Sequence, residues 1–334
     1  MSIYPTSTEP RHPFPRIVYM GTPEFAVEPL KALLAEGFNI VAVITAPDKP
    51  AGRGKKVQSS AVKVFAVEQG IQVLQPEKLK DPGFLELLQN LKPDLQVVVA
   101  FRMLPESVWK MPPLGTFNLH ASLLPQYRGA APINHAIING ETESGVTTFF
   151  IDDKIDTGKI LFREKVEIPL NYTAGDLHDK LMNTGAKLVV KTVASIISGD
   201  WKEIPQDALV NPGEILHEAP KIFKENCQIN WNHKGQQVQN FIRGLSPVPT
   251  AYSWLTTDDG PLLNVKIFSS SYIPENHSFA PGTIVIPDKK TLAVAVKDGY
   301  ISIHSLQLPG KNKVDAPSFL NGYKDISRYR FVNE

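Results

Sequence analysis

Between Arg16 and Ala100 short apolar runs alternate with amphipathic ones, and this alternation restricts the possible folds more than any other feature of the chain. RIVYM, NIVAVIT, IQVL and DLQVVVA read as strands, while PEFAVEPLKALLAEG, SSAVKVFAVEQG and a stretch near 82–91 read as helices. Strands joined by helical crossovers pair in parallel and are covered on both faces. Gly37 and Gly70 stand where left-handed residues would close two of these helices. TFNLH, a short helix near 131–138, GVTTFFI and ILFREKVEI extend the pattern. Thr173 and Asp176 form a capping box for a helix that stops near Gly199. The expected class is α/β, a Rossmann-like and mostly parallel sheet.

The chemistry of the chain changes after residue 200. Residues 206–225 contain Pro and Glu with weak periodicity, which suits a linker packed on the surface. Val238, Phe241, Ile242 and Leu245 then recur at helical spacing. AYSWL, LNVKIFS, GTIVI, LAVAV and YISIHSLQL follow as short alternating strands, the pattern of a small OB-like β-barrel. The expected organisation is a loosely attached, dispensable tail over 1–15, a first domain over 16–205, the linker, and a smaller barrel domain over 226–334. A length of 334 residues suits two domains.

Composition removes several classes of function. The formal net charge of +1 does not mark a nucleic-acid binder, so an RNA contact needs local clustering. Lys49, Arg53, Lys55, Lys56 and Lys63 supply such a cluster, with no acid between Lys49 and Lys63. Cys227 is the one cysteine, which excludes an internal disulfide and a multi-cysteine zinc site. The chain has no apolar run long enough to span a membrane, and MSIYPTSTEPRHPFP lacks the apolar core of a secretory signal. The cytoplasm is the expected compartment. Gly21-Thr22-Pro23 makes a tight turn, yet only the first glycine of a dinucleotide fingerprint is present, which disfavours NAD.

Asn118 and His120 lie two residues apart in the strand TFNLH and therefore share a face. Open parallel sheets hold ligands at the carboxyl ends of their strands, where the loop Ser122-Leu123-Leu124-Pro125 begins. Asp156 follows in the run Asp156-Thr157-Gly158. An amide, an imidazole and a carboxylate are thus available where a carbonyl could be attacked. Ser122 lacks the glycine elbow of a hydrolase nucleophile, and Asp152 and Asp153 have no histidine at metal-ligand spacing.

Asn-x-His, Ser-Leu-Leu-Pro and Asp-Thr-Gly occur here in the order found in methionyl-tRNA formyltransferases, and the chain resembles that family. MGTPEFAVEPLKALL, TAPDKPAGRGKK, INW and IRGLSPVPTAY carry the resemblance over roughly the whole chain from Arg16 onward. It implies transfer of a formyl group from 10-formyltetrahydrofolate, a co-substrate, to the amino group of methionyl initiator tRNA. The first domain would be catalytic and the barrel would bind tRNA. No metal is required, and a monomer is expected.

By the resemblance, Asn118, His120 and Asp156 are the catalytic residues. An amide at Asn118 would donate to the developing oxyanion. His120 would take the proton of the attacking amine or supply one to the leaving nitrogen. Asp156 would fix the imidazole tautomer and stabilise the imidazolium, or relay through a water. Ser122, Leu123, Leu124 and Pro125 would line the folate site. Arg53, Lys55 and Lys56 would contact tRNA, with Arg53 matching the arginine of an inserted loop that wedges into the acceptor arm; in isolation, this segment reads more readily as a solvated surface loop.

Two places depart from the family pattern. Ala100-Phe101-Arg102-Met103-Leu104-Pro105 lacks the usual aromatic-glycine pair and is one residue shorter, so Arg102 faces either the ligand or solvent. Val248 replaces a common tryptophan. Folate-dependent enzymes formylating a small amine share Asn-x-His and the aspartate, as does a formyl-folate hydrolase. The lysine-rich loop and the second domain argue against the small-amine enzymes, and a hydrolase would release formate without any acceptor.

Overall fold

Five parallel neighbours and two further strands form the sheet that carries Asn118 and His120. The computed structural model describes residues 15–51, 56–257, 260–323 and 325–332. Its strands are β1 (Ile17–Gly21), β2 (Ile40–Ile44), β3 (Lys49–Ala51), β4 (Lys56–Gln58), β5 (Val73–Leu74), β6 (Leu95–Val99), β7 (Thr116–His120), β8 (Glu143–Phe150) and β9 (Ile160–Glu167). Between and after them run α1 (Val27–Ala35), α2 (Ala61–Glu68), α3 (Pro82–Asn90), α4 (Glu106–Trp109), α5 (Pro132–Ile138) and α6 (Ala174–Ser198). The sheet order is β9-β8-β7-β6-β1-β2-β5. β5, β2, β1, β6 and β7 pair in parallel, and β8 runs antiparallel to β7.

Every residue of β1 and β6 is buried, as expected of strands covered by helices on both faces. Val18, Met20, Ala42, Ile44 and Val98 pack one face against Phe84, Leu88, Leu104 and Val108. Local chemistry starts the helices. Ser60 accepts from the Lys63 amide at 3.0 Å to cap α2, and Asp81 accepts from the Phe84 amide at 3.0 Å with Pro82 in the first turn of α3. The Thr173–Asp176 box opens α6, with the two amides donating to the partner side chains at 2.8 and 3.2 Å. Gly37 and Gly70 have φ of 77° and 68°, the left-handed closures that helix ends favour.

The barrel comprises β10 (Ala251–Thr256), β11 (Leu263–Pro274), β12 (Ile284–Val285), β13 (Leu292–Val296), β14 (Gly299–Gln307), β15 (Val314–Asp315) and β16 (Arg330–Val332), with α7 (Gly235–Gly244) before it and α8 (Ala316–Gly322) preceding its last strand. Neighbours follow the order β12-β13-β14-β11-β10-β16, with β15 added to β14. A bridge between Thr283 and Arg330, with the Phe331 amide donating to the Gly282 carbonyl at 2.9 Å, brings the two ends together and nearly closes the barrel. Trp231, Val238, Ile242, Val265, Val294, Ile303 and Phe331 fill its core. Trp231 donates to Ser253 Oγ at 2.8 Å, so its buried indole N–H is satisfied. The α/β class and the second, barrel-like region agree with expectation; β15, α8 and β16 are additions that no turn or periodic signal marked.

Two compact units divide the chain, one formed by 1–128, 145–166 and 179–218, the other by 129–144, 167–178 and 219–334. The second draws in early segments through backbone contacts: Ile168 donates to the Thr142 carbonyl at 2.8 Å and Gly175 to the Ser246 carbonyl at 3.0 Å. No helix among the described residues is long and apolar enough to cross a membrane.

Candidate active site

β7 ends at His120, opposite Thr147 of β8, and beside β6, whose Val98 pairs with Asn118. Strand alternation places Asn118 and His120 on the same face, at the carboxyl end of the strand. Asn118 is half-buried and its carboxamide hydrogen-bonds no other described residue. His120 is 6% exposed. Its Nε2 lies 2.9 Å from the carbonyl oxygen of Tyr127. A carbonyl only accepts, so Nε2 carries the hydrogen and Nδ1 keeps its lone pair.

Nδ1 faces Asp156, whose Oδ2 is 3.8 Å away. That is longer than a direct hydrogen bond, and one amine or water bonded to both at about 2.8 Å would fit as a bent bridge. In the neutral ring the Tyr127 carbonyl places the hydrogen on Nε2, and the 3.8 Å gap to Asp156 leaves room for the water relay expected as the alternative to fixing the tautomer directly. Asp156 remains placed to stabilise charge on the ring once Nδ1 gains a proton.

The loop carrying Asp156 has its shape fixed at two points. Asp152 accepts from the Lys154 amide at 3.1 Å and from Thr157 Oγ1 at 2.8 Å, so this acid closes the turn. Gly158 lies against the sheet: a Cβ there would sit 1.7 Å from the Phe150 carbonyl oxygen. The glycine of Asp-Thr-Gly is thus demanded by close approach of two backbones. Among the described residues no group of His, Cys, Asp or Glu could hold a metal ion.

The Ser122–Gln126 loop is pinned from beneath. Thr147 Oγ1 donates to the Ser122 carbonyl at 2.7 Å and accepts from the Leu124 amide at 3.1 Å. Arg163 donates to the Leu124 carbonyl at 3.0 Å, and Ser122 Oγ donates to the Gln126 carbonyl at 2.6 Å. Ser122 and Leu124 are fully buried, Pro125 is buried, and Leu123 is half-buried. Leu124 packs with Phe149 and Ile160. The side chains of Ser122, Leu124 and Pro125 therefore build the loop, and that of Leu123 lies over Gly145, where an added Cβ would sit 2.4 Å from its Cδ2.

Residues 206–218, in the stretch whose composition suggests a surface linker, hold this loop from the other side. The Tyr127 amide donates to the His217 carbonyl at 2.7 Å and the two rings stack at 5.7 Å. Gln126 donates to Glu214 at 2.9 Å. Tyr127 and Asp156 both have positive φ, 59° and 54°, an unfavourable conformation for residues bearing a Cβ. Sequence reasoning did not find Tyr127; its position directly after the Ser-Leu-Leu-Pro-Gln loop was the available signal.

Arg102 turns back onto its own scaffold. It donates to the Glu77 carbonyl at 2.8 Å and to the Pro76 carbonyl, with the guanidinium over the Phe101 ring. Partial burial draws its pKa below the ordinary arginine value. A cleft of about 330 Å³ lies beside it, lined by Leu79, Lys80, Met103, Leu104 and Pro105. Ala100, at the start of this shortened loop, has φ of 47°.

Arg53 and Lys55 lie outside the described residues; Lys56 opens β4, and its side chain is not described. β3 and β4 pair antiparallel, so arms of a short hairpin flank the basic segment expected as a loop. Lys63, counted in the same cluster, is taken by Asp48 at 2.5 Å. Hydrogen bonds from Lys63 and then Gln75 hold the Asp48 carboxyl below the usual carboxylate range.

A family model described as formyl transferase matches residues 15–193, and one described as formyl transferase, C-terminal domain, matches 221–324. The chain is 55% identical over 308 residues to the methionyl-tRNA formyltransferase of Bacteroides fragilis, covering 92% of this chain and 95% of that protein. It is also 55% identical over 315 residues to the enzyme of that name from Bacteroides thetaiotaomicron, covering 94% and 98%. The crystal structure of WlaRD, a sugar 3N-formyl transferase in the presence of dTDP and 5-N-formyl-THF, matches with a TM-score of 0.63 at 22% identity, covering 90% of this chain and 99% of that one. The last likeness is one of fold.

Proposed function

The chain belongs to the methionyl-tRNA formyltransferase family, and from that premise we propose that it moves a formyl group from 10-formyltetrahydrofolate to the free amino group of methionyl initiator tRNA. The observation that carries this is the setting of His120: its Nε2 hydrogen is committed to Tyr127 and its basic Nδ1 is turned to Asp156. A buried imidazole with one committed and one basic nitrogen suits proton transfer from an amine.

The residues present fit an acyl donor. The bound folate supplies an electrophilic one-carbon unit. Asn118 donates its uncommitted amide N–H to the carbonyl oxygen as negative charge gathers there, from a rigid strand that needs no reorganisation. His120 Nδ1 accepts the proton released by the attacking amine and can pass it to the departing nitrogen. Asp156 stabilises the imidazolium between these two events and orients the amine through the bent bridge. Leu123 and the backbone of the Ser122–Pro125 loop, held by Thr147 and Arg163, form one wall of the folate site.

In this proposal residues 16–205 make up the catalytic domain, 206–225 the connection, and 226–334 the domain that binds tRNA. Arg53, Lys55 and Lys56 grip the phosphate backbone near the acceptor end, which makes binding salt-sensitive. The enzyme acts as a monomer in the cytoplasm, where charged tRNA is made.

The test offers labelled 10-formyltetrahydrofolate with methionyl initiator tRNA, methionyl elongator tRNA or no acceptor. Label confined to the initiator species supports the proposal. Release of formate without an acceptor, or transfer only to a small amine, contradicts it.

A further inference from the structure

Gln206 begins a single 3-10 turn over Gln206–Leu209, is 3% exposed, and has every part of its amide engaged. Its Nε2 donates to the Asp156 carbonyl and to the Gly158 carbonyl, each at 2.9 Å. Its Oε1 accepts from Arg128 twice, from Nε at 3.0 Å and from Nη2 at 2.5 Å. The turn is itself anchored, because Ile160 and Ile204 exchange backbone hydrogen bonds of 2.9 Å in both directions just before it.

We infer that Gln206 is a positioning residue that sets the geometry of His120 against Asp156, an inference resting on the catalytic assignment proposed above. The backbone at Asp156 is left-handed, an unfavourable conformation for a residue with a Cβ, and its relaxation would swing the carboxylate away from the ring. Gln206 holds the carbonyls on both sides of Thr157 and so prevents this rotation.

The other end of the same amide acts on the opposite nitrogen of the ring. Arg128 directly follows Tyr127, whose carbonyl fixes Nε2 and whose φ is also positive. One buried amide thus joins the two backbone segments that flank His120, the first at Nε2 and the second facing Nδ1. The bonds are neutral at the Asp156 end and charge-assisted at the Arg128 end. A displacement of about 1 Å in such a geometry costs roughly a hundredfold in rate.

The test measures kcat and KM for 10-formyltetrahydrofolate in Gln206→Met, Arg128→Lys, His120→Ala and the parent enzyme, with folding checked by circular dichroism. Gln206→Met is expected to lower kcat about 10- to 100-fold with KM changed less than about twofold. Arg128→Lys should show a smaller loss of the same kind. A folded Gln206→Met with parental kcat, or with a defect confined to KM, overturns the inference. If Gln206→Met does not fold, Arg128→Lys decides: a kcat loss with KM little changed supports the clamp, and parental kcat or a defect confined to KM overturns it. Turnover retained in His120→Ala would instead sink the catalytic assignment beneath it.

Discussion

His120 Nε2 sits 2.9 Å from the Tyr127 carbonyl oxygen, and in the neutral ring this contact places the hydrogen on that nitrogen. With the hydrogen held at Nε2, the basic Nδ1 is turned to Asp156. The backbone of a loop residue, rather than the nearby acid, selects the tautomer. Asp156 is left to act on charge, at a separation suited to a bridging amine.

In the proposed mechanism Asn118 is the donor to the developing oxyanion, the role most sensitive to loss of a single group. Asn118→Ala is expected to lower kcat about 10² to 10³-fold, with KM for the folate little changed. Asn118→Asp should be at least as impaired, since it replaces a donor with an anion. Steady-state kinetics on both variants, with unchanged circular dichroism, would check this.

Gly158 has no room for a side chain. Gly158→Ala places a methyl 1.7 Å from the Phe150 carbonyl oxygen, so the Asp156 loop must shift or the sheet edge must give. The expected cost is about 2 kcal/mol or more of stability, together with loss of activity. Denaturant unfolding and kcat on the same preparation test both.

Ala100 offers the opposite change. It holds φ of 47° at the start of the loop that lacks the usual glycine. Ala100→Gly relieves the left-handed conformation and raises the entropy of the unfolded chain, with a net gain of about 0.5 to 1 kcal/mol. A rise in the urea midpoint without a change in slope is the expected readout.

Asp48 adds a pH-dependent contribution. Its folded pKa is depressed by hydrogen bonds from Lys63 and Gln75, so the contribution is complete above the unfolded carboxylate value of about 3.9. It is lost as pH falls through the lower folded value. The stability difference between the parent and Asp48→Asn should therefore be constant near neutrality and close only in strong acid, as followed by thermal melts across pH.

The sheet and the catalytic strand were legible because their signals are local. Alternation in TFNLH puts Asn118 and His120 on one face whatever the rest of the chain does, and Thr173 with Asp176 caps α6 within four residues. Gly158 was legible as part of a motif, though its reason is the distant carbonyl of Phe150. Gln206 was not legible, since its partners lie at 128, 156 and 158 and only folding gathers them. The buried state of Ser122 and Leu124 was hidden for the same reason: Thr147, from the antiparallel neighbour of β7, pulls that loop inward. β16 is a three-residue strand, too short for alternation to mark it, yet it completes the barrel.

Under the proposed function Arg53 is the residue that separates the two substrates. Arg53→Ala is expected to weaken catalysis with methionyl-tRNA far more than binding of the folate, and to flatten the salt dependence of tRNA affinity. Equal losses on both substrates would remove the residue from the RNA contact.

The ring nitrogen at position 120 is the centre of the account. The direct measurement is single-turnover transfer of labelled formyl from 10-formyltetrahydrofolate to methionyl initiator tRNA by folded His120→Ala at saturating substrates. The expected result is a loss of about 10² to 10⁴-fold in the rate of transfer. A rate equal to that of the parent enzyme would contradict it.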